Sequence, residues 1–318
     1  MMDERIKFVR SLKGNVAIFF DQDCDGTCSA AIFYAYCRQL GVKAKAYVGN
    51  IDEKSFKRFA KKKFNAAVIL DFGVSQYPEY LKDFRGKRVM IVDHHKVVED
   101  LNNIGFLFIN PRLEDPNTYV STTHISFDIC KEAELKGLEW VARVGMVGDY
   151  EVEGTKTERE ATDIIAAVSI LRRNDLEKLV EFLSKTKRIE DFVYNTKYQK
   201  MRIKLNKEVE KQIKAFERED FGDIAFFQLK SKYGITSIVA TNLFDKYPYK
   251  TIVVYTKRGN FYKFSARSKK IDLAECFRRI TQGIGKGGGH PVAAGGMIQA
   301  KYLKEFKKRF IETCETEL

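Results

Sequence analysis

The stretch Arg88-Val-Met-Ile-Val-Asp-His-His95 places one acid and two imidazoles directly after a short apolar run. A β-branched, apolar run of this length predicts a buried strand, and its polar end predicts functional residues at the carboxyl end of that strand. Two earlier apolar runs end in the same way, because Val16–Phe20 leads into Asp21-Gln-Asp-Cys-Asp25 and Ala67–Leu70 leads into Asp71. The three runs together predict one parallel sheet.

The carboxyl ends of parallel strands meet at one edge of a sheet, so we expect the side chains that follow the three runs to lie close together. These are Asp21, Asp23, Asp25, Asp71, Asp93, His94 and His95. Carboxylates gathered in one site raise one another's pKa, and divalent cations are the simplest way to neutralise them. Mixed carboxylate and imidazole ligands suit Mn²⁺, with Mg²⁺ or Co²⁺ as alternatives, whereas a structural zinc cluster would favour thiolates.

The rest of the chain alternates predicted strands and helices, which is typical of an α/β fold. A helix over Glu139–Gly148 delivers a further acid, Asp149. Residues 161–219 are helical and highly charged, and strands return from Phe221. We therefore predict an N-terminal domain with a mostly parallel sheet in residues 1–160, a helical connector in 161–219, and a smaller α/β domain in 220–318.

Composition restricts the partners and the compartment. The 318 residues include 56 Lys and Arg against 43 Asp and Glu, a net charge of +13. This excess favours a polyanionic partner such as nucleic acid or an acidic membrane surface, and a generally Lys-rich, heat-adapted surface is the alternative. No run approaches the roughly 18 apolar residues that span a membrane. The six cysteines show no C-x-x-C spacing and the polar start shows no signal-peptide pattern, so we expect a reduced, cytoplasmic protein.

The most Gly-rich stretch is Gly283–Gly296. Its backbone amides carry no Cβ obstruction, which suits close approach to a phosphate, and the alternative is a tight structural turn before Pro291. His290 beside the run and Arg267 upstream favour binding, because an Arg guanidinium can hold a phosphate with two hydrogen bonds. For His124, on an apolar helix face, we expect a structural role.

Five motifs, in this order, resemble those of the DHH/DHHA1 phosphoesterases, which include RecJ-type single-strand exonucleases and nanoRNases that degrade very short oligonucleotides. They are Asp21-x-Asp-x-Asp-Gly26, Asp71, Asp93-His-His95, Gly148-Asp149 and Gly287-Gly-Gly-His-Pro-x-Ala-Ala-Gly295. The resemblance covers nearly the whole chain. It implies a DHH domain that holds two metal ions, usually manganese, a smaller DHHA1 domain that clamps the substrate, and a cleft between them.

The resemblance also implies roles for individual residues. The metal ligands would be Asp21, Asp23, Asp71, His94 and Asp149, with Asp71 bridging both ions. The further catalytic residues would be His95, in contact with the scissile phosphate, and Asp25 and Asp93, as auxiliary or outer-sphere ligands. The substrate-binding residues of the smaller domain would be Arg267, Gly287, Gly288, Gly289 and His290.

In size the chain resembles compact archaeal RecJ-like nucleases, one branch of which is a helicase-associated nuclease acting from the 3′ end. We therefore predict a two-metal phosphodiesterase that removes mononucleotides from single-stranded DNA, 3′ to 5′, in repair or replication. A DNA helicase or replication protein is the predicted partner, and residues 161–219 are its candidate binding segment. One alternative is a hydrolase of short RNA, cyclic dinucleotides or 3′-phosphoadenosine phosphate. Another is a catalytically silent scaffold, against which the mutually repelling carboxylates argue.

Overall fold

The computed structural model describes residues 3–219 and 221–317, and the chain divides into two compact units, Met1–Arg202 and Ile203–Leu318. The strands of the first unit are β1 (Asn15–Asp21), β2 (Lys43–Gly49), β3 (Ala66–Leu70), β4 (Val89–Val92) and β5 (Leu107–Ile109). Its helices are α1 (Glu4–Arg10), α2 (Cys24–Gln39), α3 (Glu53–Ala60), α4 (Thr122–Glu132), α5 (Glu139–Gly148), α6 (Lys156–Arg172), α7 (Leu176–Leu183) and α8 (Ile189–Val193). Helix α9 (Thr196–Phe216) begins in this unit. Short 3-10 helices cover Val74–Gln76, Pro78–Phe84, Leu101–Ile104, Pro111–Leu113 and Arg173–Asp175.

The first sheet has the strand order β2-β1-β3-β4-β5 and is parallel throughout, which confirms the predicted fold class. Every residue of β3 and β4 is buried, as expected for strands of a parallel sheet covered on both faces. Phenylalanines of β1 and α3 pack together in the core on one side, namely Phe19, Phe56 and Phe59. Burying each such side chain contributes about 1.5–3 kcal/mol to folding.

Helix α2 is buried on most of its surface, from Asp25 to Phe33 without interruption. It contacts β1 as well as α4 and α5. Asp23 caps its amino end, where the carboxylate Oδ1 accepts the amide hydrogen of Gly26 at 2.8 Å. The acidic loop predicted from the sequence is therefore held between β1 and the most buried helix of the unit.

The residues assigned to a connector divide differently in the structure, because residues 161–202 belong to the first unit. Helices α6 to α8 bury an apolar stripe that includes Ile164, Leu179, Leu183 and Phe192. Their high charge lies on the remaining faces, which is the usual pattern for amphipathic surface helices. The charge dominated the sequence pattern and concealed this stripe.

The second unit contains a mixed sheet in the order β6-β7-β8-β10-β9. Strand β6 runs parallel to β7, and the other neighbours are antiparallel. The strands are β6 (Ile224–Gln228), β7 (Thr251–Arg258), β8 (Phe261–Arg267), β9 (Gly285–His290) and β10 (Ala293–Gln299), and the helices are α10 (Thr236–Lys246), α11 (Leu273–Ile280) and α12 (Leu303–Glu317), with a 3-10 helix at Ala300–Tyr302. The Gly-rich stretch therefore forms a β-hairpin with its turn at residues 291 and 292.

Among residues 3–219 and 221–317, no helix has both the length and the apolar character needed to cross a membrane.

Candidate metal centre

The first three acids lie where β1 ends and α2 begins. Asp21 is the last residue of β1, and burial, followed by the charge of Asp23, raises its pKa to about 7. Gly26 makes this turn possible, because a Cβ atom there would lie 2.5 Å from the carbonyl oxygen of Asp21. Backbone approach this close leaves room only for glycine.

Asp71 follows β3 and is 3% exposed. Its backbone is in the left-handed region at φ 66°, which is uncommon for a residue with a side chain and concentrates at functional sites. Oδ1 accepts a hydrogen bond of 3.0 Å from the hydroxyl of Thr122, whereas the buried Oδ2 has no hydrogen-bond partner among the described residues. Burial, and then the charges of Asp25 and Asp23, raise the pKa of Asp71 well above its ordinary value.

Asp25, in the first turn of α2, binds the amino end of α4. Its carboxylate accepts the amide hydrogens of Thr122 at 2.8 Å and Thr123 at 2.7 Å. The amino end of a helix favours a negative charge, so this contact stabilises the anion. Burial and the charges of Asp23 and Asp149 nevertheless raise the pKa of Asp25 to about 8.

Asp93 orders the tripeptide that follows β4. Its Oδ1 accepts the backbone amide hydrogens of His94 at 2.8 Å and His95 at 3.1 Å, and lies 2.8 Å from Nδ1 of His95. Burial alone would lower the pKa of His95, but the hydrogen bond to Asp93 raises it to about 9. His94 differs, because burial lowers its pKa to about 4. A neutral imidazole is the form that binds metals.

Asp149 caps the carboxyl end of α5, which packs closely against α2. A Cβ atom on Gly148 would lie 2.5 Å from Sγ of Cys24, so glycine is required for this contact. The Asp149 carboxylate Oδ2 lies 3.4 Å from Nδ1 of His94 and accepts a 3.0 Å hydrogen bond from the hydroxyl of Tyr119. Burial raises the pKa of Asp149 to about 6.

Two groups of side chains offer ligand atoms that lie within 4.8 Å of one another, and His94 belongs to both. The first contains Asp71, His94 and His95, and the second contains Asp25, His94 and Asp149. Asp21 and Asp23 belong to neither group among the described residues, although their charges act on Asp71. The structure thus brings five of the eight predicted residues together, and the charges of the other three, Asp21, Asp23 and Asp93, act on Asp71.

The cluster fits a divalent cation on chemical grounds. It contains carboxylate oxygens and imidazole nitrogens, the ligand types that suit manganese and magnesium. Burial raises the pKa values of Asp71 and Asp25, and a buried charge without a partner is strongly unfavourable. A bound cation would remove that cost.

Several contacts around the cluster were not predicted from the sequence. Thr122 and Thr123 bind the carboxylates of Asp71 and Asp25, and Tyr119 binds Asp149. Glu151 joins the loop after Asp149 to α4, because Oε2 accepts hydrogen bonds from the amide and the hydroxyl of Ser121. His124 lies 2.5 Å from Glu151 Oε1 through Nδ1 and has the structural surroundings expected for it. In the sequence, only the possible helix cap at Ser121 pointed to these contacts. It marks the start of a helix, and the free amides at a helix start attract carboxylates.

In the second unit, Arg267 ends β8 and His290 ends β9, and both pair with Ala293 of β10. Residues paired in this way point to the same face of a sheet, so the side chains of Arg267 and His290 lie on one face. Two strand spacings separate them, a distance of about 10 Å. Arg267 Nη2 donates a 3.0 Å hydrogen bond to Ser237, and His290 is exposed. Gly287, Gly288 and Gly289 form the middle of β9. The predicted substrate residues of this unit therefore lie in two strands, β8 and β9, which flank β10.

Comparison with known families matches two domain models to this chain. The DHH family N-terminal domain matches residues 15–166, and the DHHA1 domain matches residues 223–316. The single-stranded-DNA-specific exonuclease RecJ of Bacillus subtilis is 21% identical over 386 residues, covering 99% of this chain and 47% of the exonuclease. The chain spans about half, or less, of the length of the curated relatives that it matches.

Two solved structures have the same fold. RecJ in complex with Mn²⁺ from Thermus thermophilus matches with a TM-score of 0.77 at 16% identity, covering 98% of this chain and 54% of that one. An exonuclease RecJ bound to manganese matches with a TM-score of 0.66 at 15% identity, covering 98% of this chain and 94% of that one. Together the matched domains account for the parallel sheet, the mixed sheet and the motifs of both units, and the chain belongs to the DHH family, with a DHH N-terminal domain followed by a DHHA1 domain.

Proposed function

We propose that this protein is a metal-dependent phosphodiesterase that removes mononucleotides from the end of single-stranded DNA, with the 3′ end as the expected site of release. The observation that supports this most is the buried Oδ2 atom of Asp71, which has no hydrogen-bond partner among the described residues. It lies among acids whose pKa values are raised by burial. A bound cation explains why such a group is kept in the interior.

The residues that would hold the cations are Asp71 and His94, with Asp21, Asp23 and Asp149 around them. Divalent cations in such a site activate water and stabilise charge on the phosphate oxygens during phosphodiester hydrolysis. We propose that Asp25 supports the site structurally, because its carboxylate accepts two amide hydrogens from the start of α4. It fixes the helix end from which Thr122 reaches Asp71.

His95 would contact the phosphate. Its Nδ1 is bound to Asp93, and its side chain is 43% exposed, so Nε2 is the ring nitrogen left for a ligand. The same hydrogen bond fixes the ring orientation, as an outer carboxylate commonly does for a functional histidine. A protonated Nε2 would donate a hydrogen bond to a phosphate oxygen.

A row of lysines supports a polyanionic substrate longer than a dinucleotide. Lys197, Lys200, Lys204, Lys207, Lys211 and Lys214 are exposed and recur every three or four residues along α9. This spacing places them on one face of the helix over about 26 Å. None forms an ion pair with a carboxylate of residues 3–219 or 221–317. Phosphates of a single strand are the complementary partner.

The family's RecJ members support DNA as the substrate, because the Bacillus subtilis relative is named as specific for single-stranded DNA. Arg267 and His290 on one face of the second sheet would bind further phosphates of the strand.

The test is hydrolysis of single-stranded DNA and RNA of about 30 nucleotides, and of dinucleotides, each labelled at either end, in Mn²⁺ and in EDTA. We expect Mn²⁺-dependent loss of mononucleotides from the long DNA, and the retained label gives the direction. Cleavage confined to dinucleotides would contradict the exonuclease proposal and identify a short-oligonucleotide hydrolase. Equal cleavage in EDTA would contradict metal dependence.

A further inference from the structure

Tyr150, the residue after Asp149, is the most exposed large hydrophobic side chain of the described residues, with 91% of its surface accessible. It lies one residue from a candidate metal ligand, about 3.8 Å away between Cα atoms. No ring contact or side-chain hydrogen bond joins it to another described residue. Nothing in the packing of the unit accounts for an aromatic ring at this position.

The backbone gives a second, independent reason to ask why a tyrosine is here. Tyr150 has φ 60°, in the left-handed region that disfavours side chains. It occupies the position after the cap of α5, because its amide hydrogen bonds to the carbonyl of Val147 at 3.2 Å while the amide of Glu151 bonds to the carbonyl of Met146 at 3.0 Å. This is the Schellman arrangement, in which glycine is the usual residue. Tyrosine carries a strain here that glycine would avoid, and strain of this kind concentrates at functional sites.

Tyr150 is also held firmly on both sides. Asp149 before it is bound by Tyr119, and Glu151 after it accepts two hydrogen bonds from Ser121. Side chains on a fixed backbone lose less entropy on binding a ligand than those on a loose loop. The ring therefore protrudes from a rigid point at the edge of the acidic cluster.

A second aromatic side chain, Tyr119, contacts the acidic cluster directly. The Tyr119 hydroxyl donates to both the carbonyl and the carboxylate of Asp149, and its ring centre lies 5.7 Å from that of His94 at an interplanar angle of 72°. These contacts hold the Tyr119 side chain in place, whereas both faces of the Tyr150 ring are open to solvent. An open aromatic face beside a phosphate-binding site is the arrangement on which nucleobases stack, whatever their sequence.

We propose that Tyr150 is a nucleobase-stacking residue, on which a base next to the scissile phosphate of the bound single strand packs. The inference rests on the proposed function, since it requires a nucleic-acid substrate. It assigns Tyr150 to substrate binding and leaves the chemistry to the acidic cluster. The hydroxyl is not needed for stacking, so the ring alone carries the effect.

The test uses three variants and two probes. Tyr150→Phe keeps the ring and Tyr150→Leu removes it, and the two share the same backbone strain, while Tyr150→Gly removes both ring and strain. The probes are a fluorescent single-stranded DNA of about 12 nucleotides and the same strand with abasic residues at its two terminal positions. Binding is measured by fluorescence anisotropy in metal-free buffer, so that the strand stays intact.

We expect Tyr150→Phe to bind the intact strand within about twofold of wild type, and Tyr150→Leu to bind it about 5- to 100-fold more weakly. On the abasic strand, wild type and Tyr150→Leu should bind equally. Tyr150→Gly should lose affinity like Tyr150→Leu without a lower melting temperature.

Equal binding of the intact strand by Tyr150→Leu and Tyr150→Phe would overturn the inference, as would the same loss on the abasic strand. A lower melting temperature for Tyr150→Gly would point to a structural role and overturn it too. If wild-type protein binds no single strand, the proposed function fails together with this inference, whereas the other outcomes contradict the inference alone.

Discussion

The hydroxyl of Thr122 lies 3.0 Å from Oδ1 of Asp71, while the amide of the same threonine lies 2.8 Å from Oδ2 of Asp25. One residue at the start of α4 thus binds two buried carboxylates that follow different strands. It fixes the orientation of Asp71 without being a candidate ligand itself. Contacts of this kind set the affinity of metal sites.

We expect Thr122→Val to weaken Mn²⁺ binding by about 10- to 100-fold, because it keeps the side-chain shape and removes the hydroxyl that orients Asp71. Thr122→Ser is the matched control, since it keeps the hydroxyl and should bind Mn²⁺ almost as wild type does. Titration calorimetry of the metal-stripped proteins measures both. Identical affinities for Val and Ser variants would show that the hydroxyl has no such role.

Asp25 and Asp71 should respond oppositely to replacement by asparagine. Asp25→Asn replaces one of the two accepting oxygens with an NH2 group, so a buried amide of Thr122 or Thr123 loses its acceptor and the free energy of unfolding should fall by about 1–3 kcal/mol. Asp71→Asn removes a buried, repelled charge and fits the left-handed backbone, so the metal-free protein should be at least as stable as wild type. Melting temperatures in EDTA distinguish the two, and a less stable Asp71→Asn protein would count against the electrostatic account.

The stability difference between Asp71→Asn and wild type should depend on pH when metal is absent. The pKa of Asp71 is raised in the folded state above its ordinary value of 3.8, so wild type loses stability as pH rises above that value and the folded carboxyl is forced to ionise. The advantage of Asp71→Asn should be absent near pH 4 and grow toward pH 8. Denaturant unfolding of both proteins in EDTA across this range measures it, and a constant difference would refute the assignment.

Neutralising two lysines of α9 should make binding of single-stranded DNA less sensitive to salt. For Lys204→Gln with Lys207→Gln, we expect the slope of log affinity against log salt to decrease in magnitude by about 1.4, or about 0.7 for each phosphate that is no longer neutralised. Lys13→Gln with Lys43→Gln is the control, because both residues are exposed and lie outside α9. An equal change of slope in the two pairs would indicate net charge alone rather than the lysine row.

Gly26→Ala should disrupt the turn between β1 and α2, because the new methyl group would lie 2.5 Å from the backbone oxygen of Asp21. The backbone must move, so we expect weaker Mn²⁺ binding together with a lower melting temperature. Gly234→Ala is the control, since a Cβ atom there meets open space and the backbone φ is ordinary. Wild-type metal affinity in Gly26→Ala would show that the close approach does not matter.

The sequence predicted the parallel sheet well because strands buried on both faces are continuous apolar runs. Asp71 and Asp93 follow β3 and β4 directly, and Asp21 is the last residue of β1, so their convergence could be expected from the strand topology alone. The contacts of Thr122 and Tyr119 could not, because they depend on how α4 and the loop before it pack against strands far away in the chain. The Gly-rich stretch was equally hard to read, because glycine favours turns and is uncommon in strands. Its two strands form by pairing β9 with β10 and β10 with β8, which the local sequence does not indicate.

We propose that the acids and imidazoles at the carboxyl edge of the parallel sheet form a metal centre. Calorimetric titration of metal-stripped wild-type protein with Mn²⁺, beside Asp71→Asn and His94→Ala, tests it most directly. We predict saturable binding of two ions per chain in wild type and a loss of at least one ion in each variant, with both variants folded by circular dichroism. Absence of saturable binding in wild type, or equal binding in all three proteins, would contradict the account.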